Sequence, residues 1–187
     1  MENLKGRKIA ILSDHGFEQS ELLEPLKALL DAGATVHVVS AQNGFIKGWN
    51  KDNWGEEVTV GVPLNKAKAE DYNGLLVPGG VMNPDTMRAN PDYVNFAKAF
   101  FTAGKPIASI CHGPQLLIET GELRGREMTS YPSIKTDLIN AGAKWQDSEV
   151  IVDHGLVTSR SPEDLPAFCN KMIEEFAEGV HKKQMVL

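Results

Sequence analysis

The sequence predicts an α/β fold: a mostly parallel sheet covered by helices on both faces. Three observations predict it. Short apolar runs alternate with longer amphipathic stretches along the chain. Glycines stand where three of those stretches stop, at Gly33, Gly121 and Gly142. The length of 187 residues, 42% of them hydrophobic, suffices for one domain spanning 1–187 with a full core.

In chain order, Lys8 to Leu12 reads as a buried strand. Glu18 to Ala32 reads as a helix with Leu22, Leu23, Leu26, Leu29 and Leu30 on one side. Thr35 to Ser40 is the next strand, followed by a connection through Trp49 and Trp54. Val58 to Val60 is an edge strand or hairpin arm, and Gly74 to Val77 a third core strand that ends in Pro78-Gly79-Gly80. Asn90-Pro91 pairs an N-cap with a proline in the first helical turn and opens a helix to about Ala103. The strand 106–110 follows, then helices over about 113–120 and 132–141. Val150 to Val152 and Leu156 to Thr158 form a strand pair around Asp153-His154-Gly155. A last helix opens at Ser161-Pro162-Glu163 and runs to about Glu178.

A formal net charge of −6 argues against a nucleic-acid backbone or an anionic membrane as the main partner. No stretch reaches the roughly 20 apolar residues of a membrane span, and the apolar run after the N-terminus is too short for a signal h-region. The two cysteines, Cys111 and Cys169, are far apart and fall at no metal-ligand spacing. None of the five histidines pairs in an HExxH pattern. The expectation is a cytoplasmic protein with free thiols and no metal or other cofactor.

In sheets of this kind, sites form beyond the carboxyl ends of the strands. Three connections qualify: Ser13 to Glu18, Pro78 to Asp85, and Cys111 to Pro114. The third carries ASICHGPQ, in which Cys111 and His112 occupy the corner between strand and helix. Taken alone, a free cysteine is more often a small buried hydrophobe than a nucleophile. Strand end, tight turn and helix start together favour the nucleophile, presented as in the G-x-S-x-G elbow of hydrolases. Amides at the helix start favour thiolate, and the His112 N–H is an oxyanion donor. Gly79-Gly80 is either a plain turn or a place where backbone N–H approaches substrate, with Gly80 the second donor. Glu18 either complements a helix dipole or shares a proton with the sulfur. Neighbouring side chains diverge, so His112 is expected to turn away from Cys111. Cys169 reads as a packing residue beside Phe168, Met172 and Phe176.

GKPIASICHGPQLL, LRGREMTSYPSIKTDLINAGAKW and VDHGLVTSRSPEDLPAF, with HGFEQSELLEP and LLVPGGVMNPD upstream, resemble the PfpI (intracellular protease) family over nearly the whole chain. That family belongs to the class I glutamine amidotransferase-like superfamily, which also holds the parkinsonism-associated deglycase. The resemblance implies a flavodoxin-like three-layer α/β/α sandwich. It implies Cys111 as nucleophile, Glu18 as the carboxyl on the sulfur, and Gly80 and His112 as oxyanion donors, with Gly79 and Gly113 beside them as oxyanion or substrate-binding residues. In the protease-like branch an acidic residue after PGG, from a neighbouring subunit, pairs with the histidine. Asp85 is the candidate here, one residue further from PGG than the glutamate of those forms. Glutaminases of the superfamily carry a histidine before the last helix, where this chain has Ser159-Arg160-Ser161-Pro162-Glu163. Glutamine hydrolysis by that triad is not expected.

The resemblance therefore implies a cysteine-dependent stress-protective enzyme of deglycase or glutathione-independent glyoxalase type. Its substrate would be a small dicarbonyl or a glycated protein or nucleotide. The implied assembly is a homodimer, with a hexamer of dimers as the larger form. An intracellular peptidase is the second enzymatic reading. A non-catalytic redox sensor, in which Cys111 is oxidised, is the reading from another class.

Overall fold

The computed structural model describes residues 3–182 and Gln184. Its strands are β1 (Lys8–Leu12), β2 (Phe17–Glu18), β3 (Thr35–Ser40), β4 (Phe45–Asn50), β5 (Asn53–Thr59) and β6 (Val62–Pro63). They continue as β7 (Gly74–Val77), β8 (Ile107–Ile110), β9 (Glu127–Met128), β10 (Lys144–Trp145), β11 (Ile151–Asp153) and β12 (Leu156–Ser159). The helices are α1 (Gln19–Asp31), α2 (Met82–Arg88), α3 (Pro91–Thr102), α4 (Pro114–Ile118), α5 (Lys135–Asn140) and α6 (Leu165–Glu178).

Seven strands form the central sheet in the order β11-β12-β8-β7-β1-β3-β6. Every pairing in it is parallel except β11 with β12. Successive residues of a strand point to opposite faces, so a strand covered on both sides reads as an unbroken apolar run. Along β1, Ile9 and Ile11 join Leu22 and Leu29 of α1 and Phe168 and Phe176 of α6. Ala10 and Leu12 join Tyr93, Phe100 and Leu116 on the other face. Each fully buried Leu, Ile or Phe contributes about 1.5–3 kcal/mol, and with both faces covered the result is a three-layer sandwich. The β11–β12 hairpin turns through His154 and Gly155, both at positive φ (45° and 87°), as a two-residue hairpin turn requires.

Three elements differ from expectation. The stretch after β3 is not a connection but a second small sheet in which β4 pairs antiparallel with β5 and parallel with β2. Trp49 and Trp54 face each other across it, edge to face at 5.5 Å. Glu18 lies in β2 rather than opening the helix, because its backbone pairs beside Trp49. Asp85 sits on α2, which begins at Met82, inside the segment expected to be a loop.

Candidate active site

β8, β7 and β1 are neighbours, so the three connections at their carboxyl ends converge. Buried Asn83 fastens two of them together. Its Nδ2 donates to the carbonyls of Pro78 (2.9 Å) and Gly79 (3.1 Å), and its Oδ1 accepts from the Asp14 N–H at 2.6 Å. Gly80, at φ 82°, packs so closely that a Cβ there would lie 2.6 Å from the Glu18 nitrogen. Only glycine fits that approach.

Cys111 stands on the elbow with φ 61°. A non-glycine residue there costs on the order of 1–3 kcal/mol and persists only where its surroundings hold it. The backbone does hold it: Cys111 N–H donates to Ser159 O at 3.0 Å, and Tyr131 N–H donates to Cys111 O at 2.9 Å. Gly113 follows because a Cβ there would meet Val77 O and Ser109 Oγ, both at 2.6 Å. The N–H groups of Gly80 and His112 are aimed at the sulfur, the arrangement expected of an oxyanion cradle. Gly79 does something else. Its N–H donates to Glu21 Oε2 at 2.9 Å, and a Cβ on it would fall 2.6 Å from Cys111 Cβ.

The carboxyl against the sulfur is therefore Glu21 and not Glu18. Glu21 is fully buried and interacts directly with Cys111, whereas Glu18 is half exposed and accepts from Ser20 Oγ. The reason is helix phase: Glu21, Pro25 and Leu29 share the buried face of α1, and Glu18 precedes the helix. Burial, then the nearby charge of Glu18, raise the Glu21 pKa to about 8, so it holds its proton at neutral pH. Its Oε1 has no hydrogen-bond partner. Cys111 is 7% exposed. Burial pushes its thiol up, and the Gly80 and His112 amides pull the other way.

His112 also departs from expectation. Its Nδ1 lies 3.2 Å from Cys111 Sγ, because the left-handed backbone at Cys111 turns the sulfur toward its neighbour. Its Nε2 lies 3.1 Å from Ser133 Oγ, and its ring stacks on Tyr131 at 4.7 Å. Burial lowers its pKa, so the imidazole is neutral at pH 7 and can accept the thiol proton. Tyr131 and Ser133 carry no motif that would single them out in the sequence. Glu21 did leave a signal: an acid on the buried helix face, at 21, 25, 29. Asp85 is exposed on α2, and no contact joins it to His112 within this chain.

A groove of about 550 Å³ opens between the start of α1, the β4–β5 turn and the loop before α6, lined by Glu18, Gln19, Leu23, Glu24, Asn50 and Glu163, among others; neither Cys111 nor His112 lines it. The loop before α6 offers no histidine, and its Arg160 is held by Asp164 (2.9 Å) and Asp147 (2.7 Å). Cys169 lies apart in α6, its pKa raised to about 12 by burial. Among the described residues no helix is long and apolar enough to cross a membrane.

The model of the DJ-1/PfpI family matches residues 7–175. The chain is 42% identical over 167 residues to Deglycase PH1704 of Pyrococcus horikoshii, covering 89% of this chain and 98% of that one. It is 46% identical over 165 residues to General stress protein 18 of Bacillus subtilis, covering 87% and 94%. A crystal structure of a two-domain protein from Anabaena variabilis, containing DJ-1/ThiJ/PfpI-like and ferritin-like domains, superposes with TM-score 0.85 at 36% identity. That match covers 90% of this chain and 47% of that one.

Proposed function

Because this chain belongs to the DJ-1/PfpI family, whose fold it shares, we propose that it is an enzyme acting on reactive dicarbonyls or early glycation adducts through the Cys111 sulfur. The observation that carries the reading is the sulfur held between a neutral imidazole and a protonated carboxyl, with two backbone N–H groups aimed at it. The stress-protein and deglycase names of its relatives support the same direction.

With methylglyoxal, His112 Nδ1 takes the thiol proton as the sulfur attacks the aldehyde carbon. Charge develops on the former carbonyl oxygen, where the Gly80 and His112 N–H groups stabilise it. Glu21 protonates that oxygen and is left as a carboxylate, and the product is a hemithioacetal. The Glu21 carboxylate then takes the C1 proton, and the resulting enediol regains a proton at C2, giving a lactoyl thioester on Cys111. Water hydrolyses the thioester to lactate and frees the thiol. For an adduct on an amine or thiol, the carbinol first expels that group, its hydroxyl proton passing to the leaving nitrogen or sulfur, and the aldehyde so freed is attacked as above. The groove over the start of α1 has room for the remainder of a protein or an extended peptide bearing such an adduct, and the peptidase is the second reading.

The reading includes a cytoplasmic homodimer in which Asp85 of one subunit pairs with His112 of the other. The test is methylglyoxal consumption with lactate formation in the absence of glutathione, wild type against Cys111→Ser. Several turnovers per chain, lost in the variant, are expected. Equal rates, or consumption without lactate, overturn the reading and direct assays to peptides.

A further inference from the structure

α6 ends in a second cluster of polar side chains, at the end of the sheet opposite the elbow. Glu175 and Glu178 lie three apart, on one helix face. Gly179, at φ 87°, turns the chain back, and His181 returns over that face. The return is fixed at both ends of the residue. His181 N–H donates to Gly104 O at 2.7 Å, and its ring lies over Gly155, where a Cβ would come within 2.7 Å of Cδ2. Gln184 Nε2 donates to Lys105 O at 2.6 Å. Gly104 and Lys105 precede β8 and Cys111 follows it, so the cluster stands at the end opposite the active site.

The three donor atoms lie within 4.8 Å of one another. His181 Nε2 is 3.2 Å from Glu175 Oε2 and 3.9 Å from Glu178 Oε2. Glu175 is only 7% exposed, yet its Oε2 has no hydrogen-bond partner, and neither has His181 Nε2. The two atoms are close enough for an ion pair but misaligned for a hydrogen bond. A buried carboxylate oxygen left in that state keeps its full desolvation cost with nothing to offset it. A cation between them would satisfy both atoms at once.

We propose that Glu175, Glu178 and His181 form a divalent-cation site, suited to Zn²⁺, that fastens the C-terminal segment to the sheet. Zinc bonds of about 2.0–2.1 Å in a tetrahedron put ligand atoms about 3.3 Å apart. The Glu175–His181 spacing already matches, and exposed Glu178 reaches the position by side-chain rotation. One imidazole and two carboxylates select a borderline ion over Ca²⁺ or Mg²⁺, which take oxygen donors. The helix C-terminus adds negative potential. The neighbouring cations are engaged elsewhere: Lys171 Nζ pairs with Glu174 at 2.7 Å, and Arg7 Nη2 donates to Ala177 O at 2.8 Å. Glu178 and His181 lie beyond the residues that match the family model.

The experiment uses the full chain carrying Cys111→Ser, since the Cys111–His112 pair would itself take zinc. Zn²⁺ is titrated by calorimetry and Co²⁺ by absorption, and melting is followed with and without Zn²⁺. One equivalent should bind, with tetrahedral Co²⁺ bands and a rise in Tm. His181→Ala and Glu175→Gln should each weaken binding by about tenfold or more and abolish the rise in Tm. If Glu175→Gln fails to fold, exposed Glu178→Gln carries the same requirement. Absence of saturable binding, or unchanged affinity in His181→Ala, overturns the site.

Discussion

A carboxyl buried beside a thiol can hold its proton into the neutral range, and Glu21, at about 8, does so. A stability consequence follows with a definite sign. The folded state binds more protons than the unfolded one between the ordinary value of 4.5 and about 8, so stability falls as pH rises through that window, by about 1.4 kcal/mol per unit. Glu21→Gln has no proton to lose. It should gain on wild type above pH 4.5 and lose the advantage below it, as urea melts across pH will read. Catalysis should respond in the opposite way. Turnover should fall on the acid side as His112 is protonated and on the alkaline side near pH 8 as Glu21 ionises. Glu21→Gln should remove the alkaline limb along with most of the activity, while Glu18→Gln should change kcat little. Gly113→Ala tests the elbow itself. Its methyl would press on the Val77 carbonyl, which cannot swing away, and a loss of about 1–3 kcal/mol in the same melts is expected.

Among elements, the short turn Pro132–Ile134 does for His112 what no sequence motif announces. Tyr131 covers one face of the ring and Ser133 Oγ meets Nε2, so the turn fixes which nitrogen faces the sulfur. Ser133→Ala should lower kcat severalfold with KM little changed and shift the acid limb of the pH profile. Ser133→Thr, which keeps the hydroxyl, should restore it. The sheet strands and the long helices were legible because their signals are local: continuous apolar runs, a proline after Asn90, glycines past helix ends. The β4–β5 hairpin was not. Its turn is Asn50-Lys51-Asp52-Asn53 with Lys51 at φ 57°, lacking the Asn-Gly signal such turns carry, and glycines at 48 and 55 interrupt the alternation. The elbow and the PGG loop were legible for the same local reasons. Glu21 was legible only in part, since choosing it over Glu18 needs the phase of α1, which depends on where β2 ends. The His112 contacts come from residues distant in sequence, brought together by the path from β9 to α5.

At the scale of the whole molecule, the site looks incomplete on its α2 side. Val81 and Met82 expose apolar surface next to the glycine loop, 66% and 40% respectively, and Asp85 is exposed on the same short helix. A second copy that covers this surface would bury those side chains and bring an acid toward the His112 of its neighbour. Sedimentation should then give a dimer for wild type and for Asp85→Asn alike, with turnover lowered by about tenfold or more in the variant because the imidazole loses its anchor. Mixing decides where the acid comes from. A heterodimer of an Asp85→Asn chain with a Cys111→Ser chain contains one site with an intact sulfur. That site receives Asp85 only if the residue crosses from the other subunit. Co-expression of the two impaired chains should therefore restore turnover to about half the wild-type value per heterodimer, or about one quarter for a statistical mixture. If the mixture is no more active than its parents, Asp85 does not cross between subunits, and Ser133 is the partner that holds His112 Nε2.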